Sequence, residues 1–175
     1  SSNIQATATH GQTEFGGSVI PIVSANKEAG FSIVKYTGTG SAITVSHGLS
    51  SVDFIIVKNI SSTSDSGNGY SWTVYHKNLT YTHYTSLDGT DQFLNDSPVW
   101  GAAPTSSVFS FGANPRGSEA SQQHIAYCWH SVDGYSKMGY VSDLSNDAYV
   151  YLGFRPSWVM LKRTSTTSSW SIYDN

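Results

Sequence analysis

The chain has 175 residues, 38% of them hydrophobic and 13% aromatic, enough for one β domain with a core or one and a half small ones. Charged residues are only 12% and the net charge is −3, with no Lys/Arg run, which argues against nucleic acid or an anionic membrane as a partner. One cysteine, Cys128, excludes an intrachain disulfide, and no segment is long and apolar enough to be read as a membrane span.

Residues 1–18 are polar and Gly/Thr-rich and read as a linker or extended arm. Val19–Val23 is apolar with Pro21 inside it, which suggests an edge strand or a packed extended segment. Gly30–Tyr36 alternates, with Phe31, Ile33 and Lys35 on one face and Val34 and Tyr36 on the other. A Gly38-Thr39-Gly40 turn leads to a strand over Ala42–Val45. Asp53–Lys58 is continuously apolar, as in a strand covered on both faces. After a Ser/Gly/Asn loop at 59–70, Tyr70–His76 alternates strictly, with Trp72, Val74 and His76 sharing a face. Residues 78–107 are irregular and hold Tyr81, Tyr84, Asp88, Asp91, Asp96, Trp100 and Pro104. Val108–Phe111 and Gln123–Trp129 are the next strands, separated by a polar loop. No helix with a 3.6-residue period is visible.

From Gly134 the pattern returns. Gly30-Phe31-Ser32 recurs as Gly134-Tyr135-Ser136, Tyr36 as Tyr140, and Phe54–Lys58 as Trp158–Lys162, in step and without a gap. Ser71–Tyr75 recurs as Ser169–Tyr173 after about six residues have dropped out of the loop. The expected organisation is therefore an arm (1–18), a first β-sandwich repeat (19–133), and the start of an incomplete second repeat (134–175) packing on the first. Short strands with Gly/Ser/Asn turns predict an all-β, antiparallel sandwich or jelly roll. Trp72/Trp170 and Phe54/Trp158 are expected to be equivalent core positions.

The run Ala29–Gly40 resembles a repeat family common in tail and virion proteins of marine bacteriophages, cyanophages included. His47–Leu49, Ile55–Lys58, Trp72–His76, Pro104–Phe109, Ile125–Cys128, Val132–Lys137, Gly153–Pro156 and Ile172–Asp174 extend the likeness over about residues 26–175. Its members are often described as concanavalin-like or as virion structural proteins, and no catalytic residues are established for them. The resemblance implies a location on the virion surface, outside the cell. It also implies further sequence beyond Asn175, and a chain that opens Ser1-Ser2 in place of Met is expected to have a processed or trimmed start.

The residues offer little chemistry. His10, His47, His76, His83, His124 and His130 are scattered, without zinc spacing, and read as surface or satisfied histidines. Asp88, Asp91 and Asp96 form the one dense oxygen cluster, read first as an Asp/Gly turn and second as a calcium loop. Carboxylate pairs for glycoside hydrolysis, a nucleophile elbow and a phosphate-cradling loop are not legible. Cys128 reads as a buried strand residue. Tyr81, Tyr84 and Trp100 lie in the insert unique to the first copy and are the aromatics expected to stack on sugar. The expectation is thus a non-enzymatic structural and adhesive module of a tail fibre, spike or appendage. It needs no cofactor, and its partners are other copies of itself, other virion proteins and host-surface polysaccharide. The alternatives are an assembly or decoration subunit that pairs strand edges with its neighbours, and, third, a polysaccharide depolymerase fragment.

Overall fold

The structure is a computed structural model that describes residues 17–61, 71–95, 99–142 and 149–174, with the backbone of 4–6. Strands follow in order: β1 (Ile4–Ala6), β2 (Ile22–Asn26), β3 (Phe31–Thr37), β4 (Ile43–Ser46), β5 (Phe54–Asn59), β6 (Thr73–His76), β7 (His83–Ser86), β8 (Leu94–Asn95), β9 (Val108–Phe111), β10 (Gln123–Trp129), β11 (Trp158–Leu161) and β12 (Ser171–Asp174). The only helical pieces among the described residues are a 3₁₀ turn at Lys77–Leu79 and α1, Pro115–Ser118. α1 opens with the Asn114 side chain accepting from the Arg116 amide and proline at the first turn. At four residues it is too short to leave a periodic signal.

The main sheet has eight strands in the order β1-β2-β3-β10-β5-β6-β7-β8, and every pairing is antiparallel. A two-stranded sheet, β4–β9, forms the facing layer, and β11–β12 stands as a separate hairpin. The protein is therefore an all-β sandwich. β10 is the central strand: Trp129 pairs with Phe31 on one side and Phe54 on the other. Consecutive strands pair on either side of it, β1-β2-β3 and β5-β6-β7-β8, and β10, delivered late in the sequence, joins the two halves.

The core lies between the layers. Val34, Tyr36, Ile55, Val57, Ala126 and Cys128 of the main sheet share one cluster with Ile43, Val45, Phe109 and Phe111 of the facing sheet. Aromatic edges join the layers, with Tyr36 against Phe109 at 6.0 Å and Tyr75 against Trp100 at 5.4 Å between ring centroids. Each fully buried aliphatic side chain here contributes about 1.5–3 kcal/mol. Burial also pushes the Cys128 thiol up, as expected of a core cysteine that stays a thiol.

The strand reading from sequence is shifted by one residue at β3, β4 and β5, and by more at β2 and β6. β2 begins directly after Pro21, because proline cannot donate to a ladder, so the pairing run starts at Ile22. β6 is confined to Thr73–His76, and Tyr70 lies outside the described residues. Within the polar arm, Ile4–Ala6 adds to the edge of the sheet against Val23–Ala25.

Candidate interaction surface

Two-residue alternation gives the main sheet an outer face, turned away from the core. Register assigns its members: Phe31 and Phe54 flank Trp129, Ile33 and Ile56 flank Tyr127, and Lys35 and Lys58 flank Ile125. Ile22 stands beside Lys35 and Val74 beside Ile56. A second apolar cluster covers part of this face: Phe54, Ile56, Val74 and Phe93 are buried under Met138, Met160 and Trp170 of the second repeat. The β2–β3–β10 side stays open, with Ile22 51% and Ile33 36% exposed.

Along the border between covered and open halves runs a row of aromatics. Phe31 lies 5.1 Å from Trp129, Trp129 6.2 Å from Tyr127, and Tyr127 6.3 Å from Trp72, centroid to centroid. The last two pairs are near-parallel, at 26° and 28°. All four rings are half-buried, and Lys58 Nζ sits 5.8 Å from the Trp72 ring centre. Asp53 pins one end of the row. Its amide donates to the Trp129 carbonyl at 2.7 Å, and its Oδ2 accepts from the Ser131 amide and hydroxyl at 2.8 Å each. Lys77 Nζ pairs with the same oxygen at 2.9 Å. Burial alone would raise the Asp53 carboxyl, but Lys77 and Ser131 outweigh it and hold it below its usual range.

The aromatics singled out from sequence lie elsewhere. Tyr81 is on the surface, 40% exposed. Tyr84 and Trp100 are not surface groups. Tyr84 is 6% exposed with the Arg116 guanidinium 4.7 Å from its ring, and Trp100 is 1% exposed, 4.4 Å from Phe111. The insert looked irregular because its strands are short, yet the backbone at Trp100 bridges to Phe111 and turns the indole into the core. The expectation that these two rings stack on sugar is therefore corrected. Phe31, Tyr127 and Trp129 were overlooked. Their shared parity is legible in the sequence, but the adjacency of β3 and β10 across the chain is not.

The acidic cluster is also dispersed into structural duties. Asp88 accepts from the Trp72 amide at 3.1 Å and the Asp91 carbonyl accepts from the Thr85 hydroxyl at 3.0 Å. Asp96 lies outside the described residues. Among the described residues no three His, Cys, Asp or Glu side chains converge as metal ligands. His47 is buried, with its Nδ1 accepting from the Leu49 amide and its Nε2 3.2 Å from the Thr105 carbonyl. This fixes the neutral ring with its proton on Nε2, and burial lowers its pKa to about 4.

The second repeat forms another surface. β11–β12 repeats the register of β5–β6: Phe54↔His76, Ile55↔Tyr75, Ile56↔Val74 and Val57↔Thr73 become Trp158↔Asp174, Val159↔Tyr173, Met160↔Ile172 and Leu161↔Ser171. Burial does not repeat. Trp158, Leu161, Ile172 and Tyr173 are 54%, 51%, 59% and 62% exposed, where Phe54, Val57, Val74 and Tyr75 are 8%, 0%, 0% and 4%. The expected core equivalence of Phe54 and Trp158 is thus an equivalence of register alone. What holds the hairpin is its loop. Trp170 Nε1 donates to the Ser86 carbonyl at 3.0 Å, the Ser168 amide to the Thr90 carbonyl at 2.8 Å, and Lys162 Nζ to the carbonyls of Thr90 and Ser168.

No curated protein and no solved structure matches the chain. A family model does, over residues 4–175, nearly the whole sequence. The chain belongs to that family, described as a domain of unknown function, DUF7483.

Proposed function

We propose that this chain is a non-enzymatic structural and adhesive module displayed on the outside of a virus particle, where it recognises host-surface glycan. The observation that supports the reading is the row Phe31–Trp129–Tyr127–Trp72 on the outer face of the sheet, beside Lys58 and an open β2–β3–β10 face. Near-parallel, half-buried rings suit the apolar C–H faces of successive sugars. The rim supplies uncharged and cationic hydrogen-bonding groups in Ser24, Asn26, Lys35, Lys58 and Gln123. The low charge of the whole chain suits a surface that must stay wet without attracting nucleic acid. Single-site binding is weak in this reading, and many copies on one particle raise it through multivalency.

A glycan array with the isolated chain, followed by host-cell adsorption, tests the reading. Binding is expected, with Trp72→Ala and Tyr127→Ala each weakening it about tenfold, the loss of about 1.4 kcal/mol of stacking. Absence of binding to every glycan and host cell overturns it. A second reading, an assembly subunit, is favoured by a separate observation: the second repeat exposes side chains whose first-repeat counterparts are core. Light scattering on a size-exclusion column addresses it, and a monodisperse monomer at all concentrations overturns it.

A further inference from the structure

Charge is unevenly placed on this chain. Acidic residues number 12 against 9 Lys and Arg, yet the outer face of the main sheet carries the opposite sign. Across β2, β3, β10, β5 and β6, the described residues of outward parity include Lys35 and Lys58 and no Asp or Glu. The two lysines flank Ile125, one from each neighbouring strand. They therefore stand beside the aromatic row, one outward position along β10 from Tyr127.

Neither ammonium group is used within the fold. Among the described residues the one ion pair is Lys77–Asp53, and neither lysine's Nζ makes a hydrogen bond. The carboxylates at the margins of the face are engaged elsewhere. Asp53 is held by Lys77 and Ser131, Asp88 accepts from the Trp72 amide, and Glu119 accepts from Asn59 Nδ2 at 2.7 Å. Glu28 follows Lys27 in the turn between β2 and β3, so that turn adds no net charge. Both lysines are half-buried, so their aliphatic stems lie on the sheet while the heads reach water. A lysine head is a compact point charge that suits carboxylate or sulfate equally.

Spacing narrows the ligand. β3 and β5 lie on opposite sides of β10, which sets the Lys35 and Lys58 backbones about 10 Å apart. Lys58 Nζ also leans over Trp72, the residue before β6, on the far side of β5 from β10. The two heads therefore address separate anionic groups. A polymer with an acid group on repeated sugars meets both, while the rings between those groups pack on Tyr127 and Trp72. Nucleic acid also combines charge with flat rings, but a phosphate at every nucleotide calls for a cationic stripe. This face offers two lysines on a chain of net charge −3.

We infer that the ligand of this face is an acidic polysaccharide, with carboxylate or sulfate on repeated sugars, and that Lys35 and Lys58 select it. The inference rests on the glycan reading above and deepens it: the aromatic row holds sugar of any charge, and the lysines choose among sugars.

The test is an array of acidic polysaccharides, each printed beside its uncharged derivative, the methyl ester for a polyuronate and the desulfated form for a sulfated galactan. A single-stranded oligothymidylate is printed with them. At least one acidic member is expected to bind the isolated chain about tenfold more tightly than its uncharged derivative. The difference should disappear between about 0.1 M and about 1 M salt, as the screening length falls from about 10 Å to about 3 Å. Lys35→Gln and Lys58→Gln should each weaken acidic binding about threefold and leave uncharged binding unchanged. Arg155→Gln, which removes one exposed charge from the second repeat, should change neither. The pairs that respond show whether carboxylate or sulfate is the anion. Equal binding within every pair overturns the inference and leaves the glycan reading standing, as does an acid preference that both lysine variants retain. Tighter binding of the oligothymidylate than of any polysaccharide overturns it in favour of nucleic acid. Binding to no glycan, acidic or uncharged, removes both readings.

Discussion

β5–β6 and β11–β12 are the same hairpin twice, paired residue for residue, yet one is the centre of a sandwich and the other lies on its surface. Register is a local property: it is set by the two strands and the loop between them. Burial is not local. β5–β6 is enclosed because β10 and β7 flank it and Trp100, Phe109 and Phe111 lie under it, and all of these come from later in the chain. Among the described residues, β11–β12 keeps the register and is held by a docked loop and by the Met160 and Trp170 side chains. The difference shows that an apolar sequence pattern specifies a strand pair first and a core only when the covering strands are supplied.

The largest expected contrast is in truncation. Ile55 is fully buried between the layers, and Ile55→Ala should cost about 2–5 kcal/mol by lost transfer energy and a residual cavity. Its counterpart Val159 is only half-buried, so Val159→Ala should cost less than about 1 kcal/mol. Urea unfolding of both variants measures the pair. Equal losses would mean that the second hairpin is enclosed after all.

Acid should separate the copies next. His47 is a core residue, whereas its counterpart Tyr151 is 77% exposed. Burial lowers the His47 pKa from its ordinary 6.5 to about 4, even though the Thr105 carbonyl works in the opposite direction. The folded pKa lies below the unfolded one, so the unfolded chain takes up the proton first. The contribution is fully present above about pH 6.5 and is lost as pH falls toward about 4, amounting to about 3 kcal/mol at most. Burial also lowers His124 and His76, with the same sign, and the depressed Asp53 carboxyl adds a loss at still lower pH. Melting temperature against pH should fall through that window, and His47→Gln should flatten its upper part.

Much of this division was legible in the sequence. The alternation in Gly30–Tyr36 and Tyr70–His76 specified strands and their faces, Gln123–Trp129 read as a further strand, and the recurrence of Phe54–Lys58 as Trp158–Lys162 specified the second pair. The sandwich class followed. What was not legible was adjacency between distant strands. Tyr84 and Trp100 looked like surface aromatics because they sit among Asp, Gly and Pro, but a single bridge to Phe111 takes the Trp100 indole inside. Phe31, Tyr127 and Trp129 looked like ordinary strand residues and become one row only when β10 lies beside β3. The exposure of the second repeat was hidden for the same reason: nothing in Trp158–Leu161 itself says which strands flank it.

Glycine gives a smaller contrast at matched backbone. Gly30 and Gly134 share a left-handed φ, so alanine is strained at both by about 1–2 kcal/mol. At Gly30 the added Cβ would also lie 2.7 Å from the His130 carbonyl oxygen, whereas at Gly134 it meets nothing within 4 Å. Gly30→Ala should therefore lower stability by more than Gly134→Ala, and the excess measures the close packing against the end of β10. Comparable losses would show that the turn alone matters.

The smallest expected effect carries the most information about association. Val74 and Ile172 occupy the same position in the two hairpins, at 0% and 59% exposure. Val74→Asp places an unpaired charge in a closed cluster and should prevent folding. Ile172→Asp places the same charge in water and should change stability by no more than about 0.5 kcal/mol. Its effect should appear instead in association, because a charge on an apolar surface that joins molecules is unfavourable in the joined state alone. Light scattering should then show less self-association for Ile172→Asp than for the parent chain at equal concentration, with matched unfolding curves. If Ile172→Asp unfolds the chain as Val74→Asp does, the second hairpin is core. If it changes neither stability nor association, Ile172 lies outside any joining surface.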